Sequence, residues 1–489
     1  MKGRAVDEQT TMQIWTAVAL TVGGYVVTLL YIPRILSRKA EPGATLAWLI
    51  TIILFPYVGV LFFVLLGGNR LRIRTEDKAR ANEHIERFVV QVRDGQEKPE
   101  QGVIDGVDPA LITVAQRLGL WLPTGGNQVD VSIDGVESFE RMEALIDGAR
   151  HHVHMEFFIF QSDRTGTRMR DALIRAAQRG VQVRLLIDAV GSYLTRERFF
   201  APLRQAGGEV ARFLPVGPLK GWAVYNLRNH RKLLVADGVR ACVGGMNIGD
   251  AYAGLHGKQG EPWRDTWVGV SGPAAAQIQE IFAGDWYFAT GNVLAEPRHF
   301  PPPHAMGFDY VQIVPSAPAQ QFSKLHQLTV AMIQSARERI YITTPYFVPD
   351  PTLASAITLA ALRGVDVRLL VPKRSNHPLA DLVGRSFYEE LLESGVAIHE
   401  YKASMLHAKG IVIDGALCSL GSANMDTRSF RLAFEVNAYV YGQDFAGRLE
   451  EFFVKDTLAS TRVDPAAFAA RSTWQKSVES VARILGPVV

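Results

Sequence analysis

The sequence predicts an α/β protein of two tandem α/β sandwich units, preceded by a two-helix transmembrane hairpin. Three observations carry that expectation. Two long uncharged stretches, residues 12–32 and 44–66, lie near the N-terminus. A helix–strand pattern occurs twice, with Arg179-Gly-Val-Gln-Val-Arg-Leu-Leu186 returning as Arg363-Gly-Val-Asp-Val-Arg-Leu-Leu370. The run His230-Arg-Lys232-Leu-Leu-Val-Ala-Asp237 returns 177 residues later as His407-Ala-Lys409-Gly-Ile-Val-Ile-Asp414.

At about 1.5 Å of rise per residue, either N-terminal stretch can cross a hydrocarbon core of roughly 30 Å. A cleaved signal peptide is disfavoured for the first stretch. Asp7 and Glu8 precede it, no clean small-x-small site follows, and a second apolar stretch comes at once. An 11-residue turn with Pro33 and Pro42 joins the two, so residues 1–70 read as a hairpin with both ends on one side. Lys2, Arg4, Arg70, Arg72, Arg74, Lys78 and Arg80 flank the hairpin, against Arg34, Arg38 and Lys39 in its turn. That asymmetry places the body in the cytoplasm by the positive-inside rule. Residues 71–125 read as a basic juxtamembrane linker. Its arginines at 70–74 suit anionic headgroups, at about 1 kcal/mol per basic residue near the surface.

The repeated units are expected at 126–296 and 304–489, with the Pro-rich 297–303 between them. In each, a helix (167–179; 351–363) ends at a Gly and a β-branched run follows. Upstream, 153–160 matches 340–348 as a buried strand, and alternating strands and helices call for a parallel or mixed sheet. Cys242 and Cys418 follow the motif histidines by 12 and 11 residues within apolar runs, which makes them core residues rather than ligands. A net charge of +3 in 489 residues does not mark a nucleic-acid binder.

The chemistry lies in the paired motifs. Residues i and i+2 of a strand share a face, so His230 faces with Lys232 and His407 with Lys409. Asp237-Gly238 and Asp414-Gly415 are tight-turn signals, so these two motif aspartates read as turn-forming or hydrogen-bonding scaffold within the catalytic set. Asn247 and Asn424 each lie 17 residues after their His. Two His, two Lys and two Asn suit a phosphodiester, whose negative charge grows on the equatorial oxygens during attack. One His attacks phosphorus while the other protonates the leaving alcohol. Each His needs a carboxylate behind it to hold its tautomer, and Asp265 and Glu435 are the candidates. No metal-ligand cluster such as His-Glu-x-x-His is present, so neither a metal nor a cofactor is expected.

These residues resemble the phospholipase D superfamily, whose paired His-x-Lys-x4-Asp motifs form one site across a pseudo-twofold interface. Within it, the chain is most similar to the bacterial cardiolipin synthase family. The narrower likeness rests on the two apolar stretches, on Asn226-Leu-Arg-Asn-His-Arg-Lys232, and on Ile342-Thr-Thr-Pro-Tyr-Phe-Val-Pro349. The resemblance implies two phospholipase D-like units with pseudo-twofold symmetry and a phosphohistidine intermediate. It makes His230 the nucleophile and His407 the acid/base, with Lys232, Lys409, Asn247 and Asn424 on the phosphate. It also implies transfer between two phosphatidylglycerol molecules at a bacterial inner membrane, with membrane phospholipids as partners and no nucleic acid. Gly245 stands where the second copy has Ser422, so a hydroxyl contact to phosphate is expected from one side only. The longer spacing from His230 to Asp265 implies an insertion around 251–260. Phe213-Leu-Pro-Val-Gly-Pro-Leu-Lys-Gly-Trp222 is an aromatic, turn-rich segment suited to a membrane interface. Trp474, Val478, Val481, Ile484 and Leu485 form a helical apolar stripe, expected to pack on the catalytic body.

Overall fold

The computed structural model describes residues 2–37, 42–66, 70–92, 104, 106–215, 227–255, 261–294, 296–318, 323–484 and 486. Arg38 and Lys39, the interface segment beyond Pro215, residues 256–260 of the insertion and Leu485 lie outside the described residues. So do the side chains of Lys2, Arg4, Arg70, Arg72 and Arg74. The chain divides into two compact units, one built on Met1–Arg74 and the other on Thr75–Pro215 with Leu227–Val489.

In the first unit, helix Lys2–Leu36 contains the 27-residue apolar stretch Thr10–Leu36. Among the described residues it is the one helix long and apolar enough to cross a membrane. The expected second span, 44–66, is instead two shorter helices, Pro42–Leu54 and Pro56–Leu66. Pro56 is the physical reason: it has no N–H to donate, and its ring collides with a carbonyl of the preceding turn. These segments fold back along the first helix, with Thr28 Oγ1 donating to Ile52 O at 2.9 Å and Tyr57 OH to Leu20 O at 2.6 Å. Ile35, Ile52, Val60 and Phe63 fill the seam.

The second unit holds one mixed sheet made of two equivalent halves. The first half contributes β1 (Thr124–Ser132), β2 (His152–Phe157), β3 (Gln182–Asp188), β4 (Glu209–Phe213), β5 (Arg228–Asn229), β6 (Leu233–Ala236), β7 (Arg240–Gly244) and β8 (Trp267–Ser271). The second contributes β9 (Asp309–Ser316), β10 (Arg339–Thr343), β12 (Asp366–Pro372), β13 (Ala397–Tyr401), β14 (Gly410–Ile413), β15 (Leu417–Gly421), β17 (Ala433–Tyr441) and β18 (Ser460–Arg462), while β11 (Phe347–Val348) and β16 (Met425–Asp426) pair with each other in a separate two-stranded sheet. Spatially the halves run β4-β3-β2-β6-β7-β8-β1 and β13-β12-β10-β14-β15-β17-β9, and they meet where β1 pairs antiparallel with β9. Corresponding strands therefore occupy corresponding places. Strands such as β2 and β17 are buried along their whole length, as expected where helices cover both faces of a sheet. Each half has its own core, around Met155, Leu173 and Leu185 in the first and around Ile342, Ile357 and Leu369 in the second.

Local signals account for the elements. Helix Arg164–Gln178 is capped by the Asp163 carboxylate and helix Pro351–Leu362 by Asp350, each accepting from the first-turn N–H groups. The strand expected over 340–348 divides into β10 and β11, because Pro345 cannot donate to a ladder. The stretch 71–125 carries more than a linker. From helix Arg70–Val92 the residues Lys78, Ala81, Ile85 and Val89 are buried, and from helix Pro109–Arg117 Leu111 and Ala115 enter the second core.

Lys78 is the notable case. Its Nζ lies 2.8 Å from Asp285, with both side chains almost fully buried, and Asp285 also pairs with Arg231 beside the first motif histidine. Removing one partner of a buried ion pair typically costs about 3–5 kcal/mol. Lys78→Met is therefore expected to lower the thermal midpoint by several degrees in detergent. An unchanged midpoint would show that Arg231 alone compensates Asp285.

Candidate active site

The two His-x-Lys segments lie just ahead of strands β6 and β14, and each is pinned onto the opposite half. The His230 N–H donates to Phe434 O at 2.9 Å, where β5 pairs parallel with β17. The next residue of β17 is Glu435, and His230 Nδ1 is 3.0 Å from its Oε1. The other side repeats the arrangement. The His407 N–H donates to Arg264 O at 2.7 Å, and His407 Nδ1 lies 2.6 Å from Asp265 Oδ2. Each histidine is thus held, backbone and ring, by the copy it does not belong to. With Nδ1–H donated to a carboxylate, Nε2 of each ring is left for chemistry.

Both lysines fold back on their own histidines. Lys232 Nζ donates to His230 O at 2.5 Å, and Lys409 Nζ to His407 O. Lys409 Nζ also comes within 3.0 Å of His407 Nδ1; the shorter contact to Asp265 assigns the Nδ1 proton to that carboxylate. Burial pulls Lys232 down to about 7 and Lys409 to about 8, with Glu435 and Asp265 opposing the shift. Burial, reinforced by Lys409, likewise lowers His407 to about 3. His230 is lowered by burial too, against the pull of Glu435. Burial alone would raise Glu435, but His230 and Lys232 outweigh it and hold the carboxyl below its ordinary range.

The remaining motif residues divide by role. Asp237 and Asp414 sit at φ 55° and 51°, each followed by a positive-φ Gly, which is the two-residue hairpin turn that their Asp-Gly sequence favours. The Asp237 carboxylate accepts from the N–H groups of Arg150, His151 and His152, and Asp414 from those of Arg337, Glu338 and Arg339. Both therefore tie a motif hairpin to the start of β2 or β10. Asn247 accepts from Ile159 N and donates to Tyr252 OH. Asn424 is buried, and its Oδ1 has no hydrogen-bond partner among the described residues. The Ser422 hydroxyl, expected on phosphate, donates to Glu435. At the equivalent position, a Cβ on Gly245 would stand 2.3 Å from Asp265 Oδ1. The Gly/Ser difference follows from the carboxylates: where Asp265 packs against the backbone there is no room for a side chain.

Aromatic rings wall the site. Phe158 packs edge-on to His230 at 5.0 Å, and Tyr252, Trp263 and Tyr346 surround His407 at 5.6, 5.5 and 6.4 Å. Sequence reasoning did not assign a role to the charges that brace the first motif. Asp188 pairs with Arg228 at 3.2 Å and accepts from Asn229 N, while Arg231 donates to Glu435 O and Ser316 O. Their signal was present as polar residues in apolar surroundings, such as Asp188 closing the run Arg-Leu-Leu-Ile.

A pH dependence follows from the buried imidazoles. Burial holds both His407 and His152 at about 3 in the folded chain. The unfolded chain, with His near 6.5, binds more protons between those values. Stability is therefore full above about pH 6.5 and falls as the pH drops below it. At pH 5 each of these two histidines costs about 2 kcal/mol relative to pH 7. Denaturant midpoints at the two pH values check this, and an equal or higher midpoint at pH 5 would refute it.

Residues 142–286 and 329–457 match the family described as cardiolipin synthase, PLD-like domain, and 25–68 match the phospholipase D-nuclease N-terminal family. The cardiolipin synthase of Geobacillus thermodenitrificans is 38% identical over 472 residues, covering 95% of this chain and 92% of that protein. The major cardiolipin synthase ClsA of Bacillus subtilis is 36% identical over 473 residues, covering 94% and 97%. Among solved structures, a phosphatidylserine synthase of Haemophilus influenzae shares the fold, with a TM-score of 0.58 at 16% identity over 77% of this chain and 97% of that one.

Proposed function

The chain belongs to the cardiolipin synthase family of the phospholipase D superfamily, and from that premise we infer how its crossed histidine pairs carry out phosphatidyl transfer. It is a phosphatidyltransferase that acts on membrane phospholipids. The donor and the acceptor are both phosphatidylglycerol. His230 Nε2 attacks the phosphorus of the first molecule, and the P–O bond to its headgroup glycerol breaks. His407 takes up a proton at Nε2 when the anionic phosphodiester binds, with Asp265 on Nδ1–H supporting the charge, and gives that proton to the leaving oxygen, so free glycerol departs and a phosphatidyl–His230 intermediate remains. The terminal hydroxyl of a second phosphatidylglycerol then passes its proton to His407 and attacks the same phosphorus. The P–N bond breaks, and cardiolipin leaves.

The surrounding groups fit these steps. Glu435 holds Nδ1–H of His230, which points the Nε2 lone pair outward and stabilises the ring when phosphorus bonds to it. Asp265 does the same for His407 as that ring gains and loses its proton. Lys232 and Lys409, held low by burial, regain full charge beside the anionic phosphodiester and stabilise the charge that grows in the transition state. Asn424, buried beside the motif, completes the phosphate cradle by donating its amide N–H groups. Asp237 and Asp414 hold the hairpins and do not touch substrate.

The observation that carries this reading is the crossed pinning, since a lone half would leave each histidine without its carboxylate. The N-terminal segment anchors the enzyme in the bacterial inner membrane through helix Lys2–Leu36, with the pair of helices broken at Pro56 as the returning limb of a hairpin, and the catalytic unit lies in the cytoplasm. The test is product analysis with defined lipids in mixed micelles. Phosphatidylglycerol alone should yield cardiolipin and free glycerol in equal amounts. Phosphatidic acid as the main product would mark a phospholipase, an absolute need for phosphatidylethanolamine a different donor, and cleavage of labelled nucleic acid a nuclease.

A further inference from the structure

The helix Thr473–Ile484 packs against the catalytic unit with the side opposite to the one its composition would suggest. Its buried residues are Glu479 and Ala482, whereas Trp474 is 77%, Val481 63% and Ile484 77% exposed. Glu479 explains the orientation. Its carboxylate receives Arg385 Nε at 3.2 Å and Arg471 Nη2 at 3.0 Å, so a double ion pair fastens the polar side inward. Just beyond the helix, a Cβ built on Gly486 would meet Val383 and Val348 at 3.4 and 3.5 Å, so the chain end also lies close against the body. An amphipathic helix held by its polar side leaves its apolar stripe facing outward, a costly arrangement in water alone.

We propose that this helix is an interfacial anchor that lays Trp474, Val481 and Ile484 into the surface of the anionic bilayer supplying the substrate. Its position supports this occupant. The helix packs against helix Pro378–Arg385, on which Leu379 and Leu382 are also exposed. Two exposed cations, Lys373 and Arg374, lead into that second helix and match an anionic headgroup layer. The same loop reaches the active site: Tyr346 OH donates to Asn376 Oδ1 at 2.6 Å, and the Tyr346 ring stands beside His407. The apolar stripe, the cations and the His407 side of the site thus form one continuous edge. A Trp-containing apolar face bordered by basic residues suits partial burial at the headgroup–acyl boundary. The anchor holds that edge on the bilayer, so a lipid headgroup reaches His407 without its chains crossing water. This rests on the lipid-transferase reading given above.

The test uses the full chain in nanodiscs of phosphatidylglycerol and phosphatidylethanolamine, with an environment-sensitive fluorophore on Val481→Cys. Quenching by spin-labelled acyl chains, together with shielding from aqueous iodide, is expected. Quenching by iodide without an effect of the labelled lipid would overturn the proposal. Shielding from both, with intermolecular crosslinking at the same position, would overturn it in favour of a second copy. These readouts need no turnover, so they stand even if phosphatidylglycerol proves not to be the substrate. The triple variant Trp474→Ser, Val481→Ser, Ile484→Ser should raise KM for bilayer phosphatidylglycerol about tenfold. Its kcat on short-chain micellar substrate and its thermal midpoint should be unchanged, because these side chains bury little in the fold. Equal kinetics on bilayers would count against the anchor.

Discussion

His230→Ala is expected to abolish cardiolipin formation, with a loss of about 10⁴-fold or more, and to trap no covalent phospholipid at all. In the mechanism proposed above His230 Nε2 bonds phosphorus, and with the imidazole gone neither Lys232 nor Lys409 replaces it, since a lysine charged beside the phosphodiester has no lone pair to attack with. His407→Ala should behave differently. With phosphatidylglycerol it loses activity to a similar extent, because glycerol is a poor leaving group without a proton donor. With a phosphatidyl ester of p-nitrophenol, which leaves without protonation, it should release one equivalent of nitrophenol and then stall as phosphatidyl–His230. A quench in denaturing detergent at mildly alkaline pH, which preserves the acid-labile P–N bond, and mass spectrometry of the labelled peptide would locate the adduct. A stalled adduct in the His230→Ala protein, or none in His407→Ala, would reverse the two roles.

The second large effect tests the crossed pairing. Glu435→Gln, although it lies in the second copy, should mimic a lesion of His230, lowering the nitrophenol burst rate about 10²–10⁴-fold. Asp265→Asn, in the first copy, should leave that burst nearly intact and slow the release of the intermediate by a similar factor. The amide is nearly isosteric with the carboxylate but cannot stabilise a charged ring or enforce its tautomer. If each variant instead impaired the histidine of its own copy, the geometry around β17 and β8 would have to differ from the one described.

Much of the fold is legible in the sequence. The repeated helix–strand peptides announced two equivalent halves, and the halves do occupy matching places in one sheet. The Asp-Gly pairs announced tight hairpins because few residues tolerate positive φ at both turn positions, and Asp237 and Asp414 adopt it. Other features were less legible. The apolar composition of 44–66 suggested one span, but composition does not register the missing N–H of Pro56, which breaks the helix. Ser422 was expected on phosphate, yet its hydroxyl serves Glu435, a choice that depends on how far that carboxylate reaches. Lys78 reads in the sequence as one of the basic residues flanking the hairpin, yet it is buried against Asp285.

The sequence by itself determined which groups the candidate site holds: two His-x-Lys-x4-Asp motifs, their paired Asn residues, and two carboxylates downstream. Residue type and local spacing are enough for that, because turns, strand faces and side-chain reactivity are local properties. Only the tertiary structure decided which carboxylate serves which histidine, and it crossed them. His230 is 205 residues from Glu435 and His407 is 142 from Asp265. Contacts at such separations come from strand pairing between the halves, and no local pattern records which strand a segment will meet.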